Sequence, residues 1–283
     1  LELFETIKFD PKNDSNAKIN CVSFNQNNRT LCYATEGGDI VFGNNHWIAP
    51  YPILNICHFC DNIIVASSID GAIHVFRGGF ESEIDSFLPS ILHYSEKIEM
   101  VSDGNQMLYI AQDSNEIMIW NLLSLLLINR IQTELQIQKL AYANGYIYAA
   151  LINGRIIQIN ENTLEIEKVS DRFLNQVILN MGCYINSLWT VNSAGEVYLW
   201  RNFDDPSCIY KFNGNIKFIT IAQSFPLILS IQETVNLTNF ESGATYELKF
   251  TKTNGVCCCI DNTKPLAAIG YDDGTLAIWR LPL

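Results

Sequence analysis

The sequence has little positive charge. Its 283 residues include 18 Lys and Arg against 30 Asp and Glu, which gives a formal net charge of -12. The basic residues are scattered singly along the chain and form no basic stripe. Proteins that hold nucleic acid or anionic membrane surfaces usually present grouped Lys and Arg side chains to the phosphates. The composition therefore predicts no direct nucleic-acid partner.

A long hydrophobic run is also absent from the sequence. The longest apolar stretch runs from Leu122 to Ile128, whereas a membrane-spanning helix needs about 20 apolar residues. No positively charged segment followed by an apolar core marks a secretory signal. We therefore predict no membrane span. Because the chain begins with Leu rather than Met, we expect that further residues preceded it, among which an address signal could have stood.

Three of the nine cysteines, Cys257 to Cys259, are consecutive in an apolar run. Neighbouring side chains on a strand point to opposite faces, so these thiols cannot form one disulfide ladder or one metal site. We predict buried, reduced thiols. Glycosylation triplets occur at Asn13, Asn28 and Asn236, but a chain rich in Asn contains such triplets by chance. We therefore expect an intracellular protein, cytoplasmic or nuclear.

A similar segment recurs seven times along the chain. Each copy is a short turn followed by five or six residues, most of them apolar. Successive copies lie about 39 residues apart on average, a period that propellers share with helical repeats. The segments alternate or run continuously in apolar residues and lack long stripes at helical spacing, which predicts strands. The copies begin at Gly38, Gly71, Asn115, Gly154, Gly195, Glu233 and Gly274.

Two more strand-like segments precede each copy, and a fourth follows most of them. Four strands per repeat form one blade, and blades packed face against face bury both sides of their inner strands. This burial explains why many of the segments are almost entirely apolar. The prediction is an all-β, seven-bladed β-propeller with four-stranded antiparallel blades, formed as a single domain by residues 1–283.

The repeats resemble those of the WD-repeat (WD40) propeller family. Three copies end in a tryptophan, at Trp120, Trp200 and Trp279, and the segment from Ile19 to Phe24 is similar to the first strand of that family's repeat. No tryptophan is followed by Asp and the Gly-His dipeptide is absent, so the family's buried Asp-His-Ser-Trp hydrogen-bond set is not carried over. A kelch propeller, or another with unrelated motifs, stays an alternative.

The two ends of the chain are predicted to form one blade together. The last repeat stops soon after Trp279 and lacks a fourth strand, while a strand-like segment, Leu1 to Phe9, stands before the first repeat. We predict that residues 1–9 supply the missing strand, as the WD-repeat resemblance implies. Such pairing would close the ring and leave no exposed edge.

The turns between the second and third strands of the blades are rich in acidic residues. In a propeller these turns emerge on one face, around the mouth of the central channel. An acidic mouth would attract a peptide bearing Lys or Arg and steer it before specific contacts form. The alternative is structural, because tight hairpin turns favour Asp and Gly, and the resemblance implies a framework role for the turn Asp. The acidic residues are Glu36, Asp70, Asp113, Glu233, Asp272 and Asp273.

A second candidate for the binding surface is the segment from His46 to Pro52. It is predicted to connect the outer strand of the first blade to the inner strand of the second, on the same face as the acidic turns. Trp47 and Tyr51 are residue types that anchor interfaces, and two prolines reduce the entropy lost when the segment is ordered. The alternative is that Trp47 packs on its own blade.

Motifs for other chemistry are weak. Cys57 and Cys60 have the spacing of half a zinc site, but no second pair lies nearby and strand alternation places them on opposite faces, so we interpret them as packing. The four histidines, at positions 46, 58, 74 and 93, stand beside no nucleophile motif. A Phe-Arg-Gly-Gly segment from residue 76 is similar to the Phe-Arg-Arg-Gly phosphoinositide motif but lacks its second arginine. We interpret its glycines as a loop that leads into a long insert, residues 80–97.

The sequence thus predicts a non-catalytic protein–protein interaction scaffold, a subunit of an intracellular complex. It would bind a protein or peptide, such as one bearing Lys or Arg, on the acidic channel-mouth face, without a cofactor or a metal. A propeller hydrolase with paired carboxylates is the alternative, and a phosphoinositide-binding propeller is a less favoured one. Nothing in the sequence indicates whether the chain self-associates.

Overall fold

The protein is built of β-strands. The computed structural model describes residues 2–9, 17–25, 30–60, 63–77, 83–87, 98–112, 114–170, 176–203, 205–250, 254–261 and 263–281. These ranges contain 28 strands and no helix, and therefore no helix long and apolar enough to cross a membrane. The strands form seven antiparallel sheets of four strands each. The predicted all-β, seven-bladed β-propeller is confirmed.

The strands follow in chain order, with β1 (Glu2–Lys8) before the first blade. Blades 1 to 3 contain β2 (Ile19–Phe24), β3 (Leu31–Thr35), β4 (Asp39–Phe42) and β5 (Asn45–Ile48); β6 (Ile53–Cys60), β7 (Ile63–Ser68), β8 (Ile73–Arg77) and β9 (Glu83–Phe87); and β10 (Ile98–Ser102), β11 (Met107–Gln112), β12 (Glu116–Asn121) and β13 (Leu126–Gln132). Blades 4 and 5 contain β14 (Ile137–Ala143), β15 (Tyr146–Leu151), β16 (Ile156–Asn160) and β17 (Ile166–Val169), then β18 (Ile178–Tyr184), β19 (Ser187–Asn192), β20 (Glu196–Asn202) and β21 (Asp205–Lys211). Blades 6 and 7 contain β22 (Phe218–Ile221), β23 (Leu227–Ile231), β24 (Val235–Asn239) and β25 (Thr245–Glu247), then β26 (Gly255–Ile260), β27 (Leu266–Tyr271) and β28 (Thr275–Arg280).

The chain divides into two compact units. The first unit, Leu1–Glu96 with Lys217–Leu283, holds blades 1, 2, 6 and 7, and the second unit, Lys97–Ile216, holds blades 3, 4 and 5. In the first unit, apolar cores lie between blades 1 and 2, blades 7 and 1, and blades 6 and 7. In the second unit, cores lie between blades 3 and 4 and between blades 4 and 5. The assignment of residues 1–283 to a single domain stays a prediction.

The inner strands are buried on both faces because each lies between two blades. Consecutive residues of β26 show this alternation: Cys257 packs with Ile19 of blade 1, and Cys258 packs with Leu229 of blade 6. Both thiols are free and buried, and burial raises the pKa of Cys257 to about 12. The predicted burial is confirmed for these two cysteines.

The predicted closing strand is also confirmed. β1 pairs antiparallel with β28, with one register shift between Leu3 and Glu5, and completes blade 7 in the order β1, β28, β27, β26. Beyond the strand, the Phe9 N–H donates to the Gly274 carbonyl oxygen at 3.0 Å. The Phe9 ring lies edge-on to Tyr33 of blade 1, with 6.1 Å between centroids. The N-terminal segment therefore contacts blades 7 and 1 together.

Two outer strands lie where the sequence predicted other structure, and these predictions were wrong. β5 occupies part of the segment predicted as a connection, and β9 lies within residues 80–97, interpreted as an insert. In blade 1, Gly43 adopts a φ of 57° and forms a two-residue turn with Asn44, after which β5 pairs with β4. Because an outer strand packs on one side only, it lacks the continuous apolar pattern that identified the inner strands.

Candidate functional site

The turn between the second and third strands of a blade lies against the start of the same blade's first strand. In blade 7 the Asp272 N–H donates to the Asn254 carbonyl oxygen at 3.1 Å. This turn also approaches the next blade closely. A Cβ placed on Gly274 would lie 2.9 Å from the carbonyl oxygen of Ala17, which precedes the first strand of blade 1. Similar close approaches join blade 1 to blade 2 and blade 6 to blade 7. These turn ends lie side by side, and we call them the turn face of the first unit.

Two of the predicted acidic residues are engaged within their own blades. Asp70 accepts hydrogen bonds from the Ser68 hydroxyl and, at 3.2 Å, from the Ala72 N–H. The Glu36 carboxylate lies 3.5 Å from the Lys18 ammonium group. The Asp70 contacts hold the turn of blade 2, and the Glu36 contact joins the turn of blade 1 to the residue before β2.

The acidic residues of blades 6 and 7 are more exposed. Asp272 accepts hydrogen bonds from the backbone N–H and the side-chain amide of Asn254, at 3.2 and 2.9 Å, and Asp273 accepts one from the Thr275 N–H at 3.0 Å. Glu233 forms no hydrogen bond or ion pair with any described residue. All three carboxylates are on exposed residues. Blades 6 and 7 therefore present most of the accessible negative charge that the sequence predicted for the turn face of this unit.

Sequence reasoning missed a buried polar network in each of blades 1 and 2. In blade 1, the 3% exposed Asp39 accepts a hydrogen bond from the Thr35 hydroxyl at 3.1 Å and lies 2.8 Å from His46 Nε2. In blade 2, the Ser68 hydroxyl, which donates to the turn carboxylate described above, lies 2.9 Å from His74 Nε2. Burial lowers the pKa of His74. The signal in the sequence was a Thr or Ser at the end of the second strand, followed by an Asp or His near the start of the third strand.

The tryptophans that end the third strands of blades 5 and 7 differ in their hydrogen bonding. The Trp200 indole N–H donates to the Thr190 hydroxyl at 2.9 Å. The indole nitrogen of Trp279 is buried and has no hydrogen-bond partner among the described residues. In blade 5 the acceptor lies two residues beyond Leu188, which pairs with Trp200, and the equivalent residue of blade 7 is Ile269, which has no acceptor side chain.

The two aromatic residues predicted at the binding surface are in different environments. Trp47 lies in β5, is 5% exposed, and packs on Phe76 of blade 2 with 5.1 Å between ring centroids. Its predicted place in a connecting loop was therefore wrong, and it offers little surface to a partner. Tyr51 does lie in the connection to blade 2 and is 42% exposed.

A cleft of 250 Å³ lies at the turn ends of blades 6 and 7. Its walls come from the turn between β23 and β24, the end of β25 with the residues after it, and the start of β26. Glu233 lines it together with Phe250 and Tyr271, whose ring centroids are 5.2 Å apart. Sequence reasoning found the carboxylate but neither ring, because Phe250 and Tyr271 belong to different blades.

The longest apolar stretch of the sequence lies on the surface of the second unit. It forms the turn before β13 and the first part of that strand, which is the outer strand of blade 3. Leu123, Leu126 and Ile128 are 58%, 60% and 49% exposed. Apart from Leu122, which is buried, this stretch therefore lies outside the core.

The motifs considered for other chemistry add no second site. Cys57 lies in β6 as a free thiol, and burial raises its pKa to about 12. Within the described ranges, no three metal-ligating side chains are grouped closely enough to hold an ion. Arg77 ends β8, and the two glycines after it lie outside the described residues, as does Asp113.

Comparison with known proteins supports the fold. No family model matches the sequence, and no curated protein matches it. Among solved structures, 1710 chains match. One is the crystal structure of Raptor from Chaetomium thermophilum, with a TM-score of 0.79 and 13% sequence identity over 95% of this chain. The match covers 29% of the Raptor chain, so this sequence spans less than a third of that protein. At this identity the likeness shows the propeller fold alone, and membership of the WD-repeat family stays a prediction.

Proposed function

We propose that the protein is a non-catalytic protein–protein interaction module, a subunit of an intracellular complex, which binds a partner peptide or domain on the turn face of the first unit. The observation that carries this proposal is the exposed carboxylates of Glu233, Asp272 and Asp273 beside a cleft. A fold shared by so many structures does not select a function, so the site must carry the inference.

A partner with basic side chains suits this surface. The chain carries a net charge of -12, and an acidic surface attracts Lys and Arg before specific contacts form. At physiological ionic strength charges are screened beyond about 8 Å. We therefore expect the affinity of the partner to fall as salt is raised.

The burial of the serine and histidine in blade 2 favours binding over catalysis. The Ser-His-Asp set of blade 2 is closed to a substrate, because Ser68 has no exposed surface and His74 is 4% exposed. On the turn face, Asp272 and Asp273 accept hydrogen bonds from backbone N–H groups. These bonds hold the two carboxylates at the exposed turn, where they can attract a cationic partner.

The proposal is tested by the affinity of a panel of labelled Lys- and Arg-bearing peptides, measured by fluorescence anisotropy. The first variant combines Glu233→Gln with Asp272→Asn. The control combines Glu165→Gln with Glu241→Gln. It also removes two negative charges, but from exposed turns between third and fourth strands.

We expect the first variant to bind at least about fivefold more weakly, which corresponds to about 1 kcal/mol, and the control to bind like the wild type. An equal loss in both variants would show that net charge alone governs binding and would overturn the assignment to the turn face. If no peptide of the panel binds the wild type, the proposal of a basic partner is wrong.

A further inference from the structure

The cleft between blades 6 and 7 contains a buried polar group without a partner. Tyr271 lines the cleft and is 2% exposed, and its hydroxyl has no hydrogen bond to any described residue. Burial, and after it the charge of Asp273, raise the pKa of Tyr271, so the hydroxyl is neutral at physiological pH. A buried hydroxyl left unpaired costs about 1 to 3 kcal/mol. A ligand that reached this group with a hydrogen bond would recover part of that cost.

The charges at the rim of the cleft favour a cation. Glu247 and Lys249 lie 3.5 Å apart and offset each other. Lys217 and Glu233 also line the cleft and are exposed, and neither is in an ion pair with a described residue. The adjoining turn of blade 7 adds two exposed carboxylates, so acidic groups outnumber basic ones among the residues that the structure describes around the opening.

We propose that this cleft receives an arginine side chain of the partner. A guanidinium group stacks on aromatic faces and donates paired hydrogen bonds to a carboxylate. Phe250 and Tyr271 supply the rings, Glu233 supplies the carboxylate, and the Tyr271 hydroxyl supplies an acceptor deeper in the cleft. The volume of 250 Å³ lies below the range of about 300 to 1,000 Å³ usual for small-molecule sites, and it suits one long side chain. The inference rests on the proposed function, since it requires a basic partner on the turn face.

The probe is a blocked pentapeptide, Gly-Gly-Arg-Gly-Gly, compared with the same peptide carrying Lys or the neutral isostere citrulline. Affinities are measured by NMR titration of wild type, Tyr271→Phe, Glu233→Gln, Lys217→Gln and the control Glu241→Gln. Tyr271→Phe keeps the ring and removes a buried hydroxyl that has no described partner, so its melting temperature should not fall below that of the wild type. Glu233→Gln changes an exposed turn and gives an independent test of the same cleft.

We expect the Arg peptide to bind about fivefold more tightly than the Lys and citrulline peptides, and the Tyr271→Phe and Glu233→Gln variants to bind it about fivefold more weakly than wild type, a factor equal to about 1 kcal/mol. Lys217→Gln should bind it more tightly, because a repelling charge is removed, and the control should not differ from wild type.

The failures of this inference and of the proposed function are distinguishable. If longer basic peptides bind the turn face but the cleft variants match the control, or the pentapeptide does not bind, the arginine site is wrong and the proposed function stands. Weaker binding by Lys217→Gln would show that this side chain attracts an anionic group, and it too would overturn the inference. If no basic peptide binds the wild type, both the arginine site and the proposed basic partner are wrong.

Discussion

Protonation of His58 should destabilise the first unit at acidic pH. The side chain is half-buried on β6, with its ring centroid 5.5 Å from that of Phe42. Nε2 lies 3.3 Å from the Ser23 carbonyl oxygen, to which its N–H donates, while Nδ1 is buried without a hydrogen-bond partner among the described residues. A second proton would be bound at Nδ1, and no described residue could accept a hydrogen bond from the resulting N–H group. Burial therefore lowers the pKa of His58 from 6.5 to about 4.

The size of the effect follows from this difference in pKa. Between pH 6.5 and pH 4 the unfolded chain binds a proton at His58 that the folded chain does not. Stability is therefore highest above pH 6.5, falls as the pH is lowered through this window, and loses no more from this group below pH 4. Each pKa unit corresponds to about 1.4 kcal/mol, so the loss is about 3 kcal/mol.

The assay compares wild type with His58→Gln, whose amide can still donate to the Ser23 carbonyl oxygen but does not titrate. Free energies of unfolding are measured in urea from pH 7.5 to 4, and the NMR shift of the His58 ring is followed over the same range. The difference between the two proteins should change by about 3 kcal/mol across the window. A difference that stays constant with pH, or an NMR pKa near 6.5, would refute the reasoning, because carboxylates titrate equally in both proteins.

Three further changes test the packing of the blades. Deleting residues 1–9 removes the outer strand of blade 7 and should lower the melting temperature; an unchanged value would contradict a stabilising role for that strand. Gly270→Ala would place a Cβ 2.6 Å from Ile19 Cγ2 and should cost about 1 to 3 kcal/mol in urea unfolding, so an unchanged midpoint would show that the blades can move apart. Thr190→Val leaves the buried Trp200 N–H unpaired and should cost about 1 to 3 kcal/mol, whereas Thr190→Ser, which keeps the hydroxyl, should cost clearly less; equal losses would exclude the hydrogen bond as the cause.

Local sequence was sufficient to predict the inner strands and the closing strand. The segment Ile19 to Phe24, compared with a first strand, has the bounds of β2, and a third strand follows the start of each of the seven copies. Their apolar runs are long because both faces are buried between blades. The closing strand followed from a count, since the last repeat lacked a strand and the N-terminal segment had no repeat of its own.

The outer strands were harder to predict because burial, which produces the apolar pattern, is weak there. β5, which was predicted as a connection, has a single buried residue, Trp47, among its four. The environment of Trp47 was also difficult to predict. Its residue type suggests an interface anchor, but pairing of β5 with β4 packs its ring on Phe76 in the core. Residue type alone does not distinguish a core tryptophan from an exposed one.

For the candidate site, the sequence by itself determined where carboxylates can occur, because hairpin turns between strands favour Asp and Gly. Only the tertiary structure decided which of them are engaged, through contacts such as that of Asp70 with Ser68, and which remain accessible, as Glu233 does. The cleft needed the tertiary structure most, since Phe250 and Tyr271 meet only when blade 6 packs against blade 7. The repeat fixes the strands of each blade through local hydrophobic pattern, whereas a site between blades depends on contacts distant in sequence that no local pattern encodes.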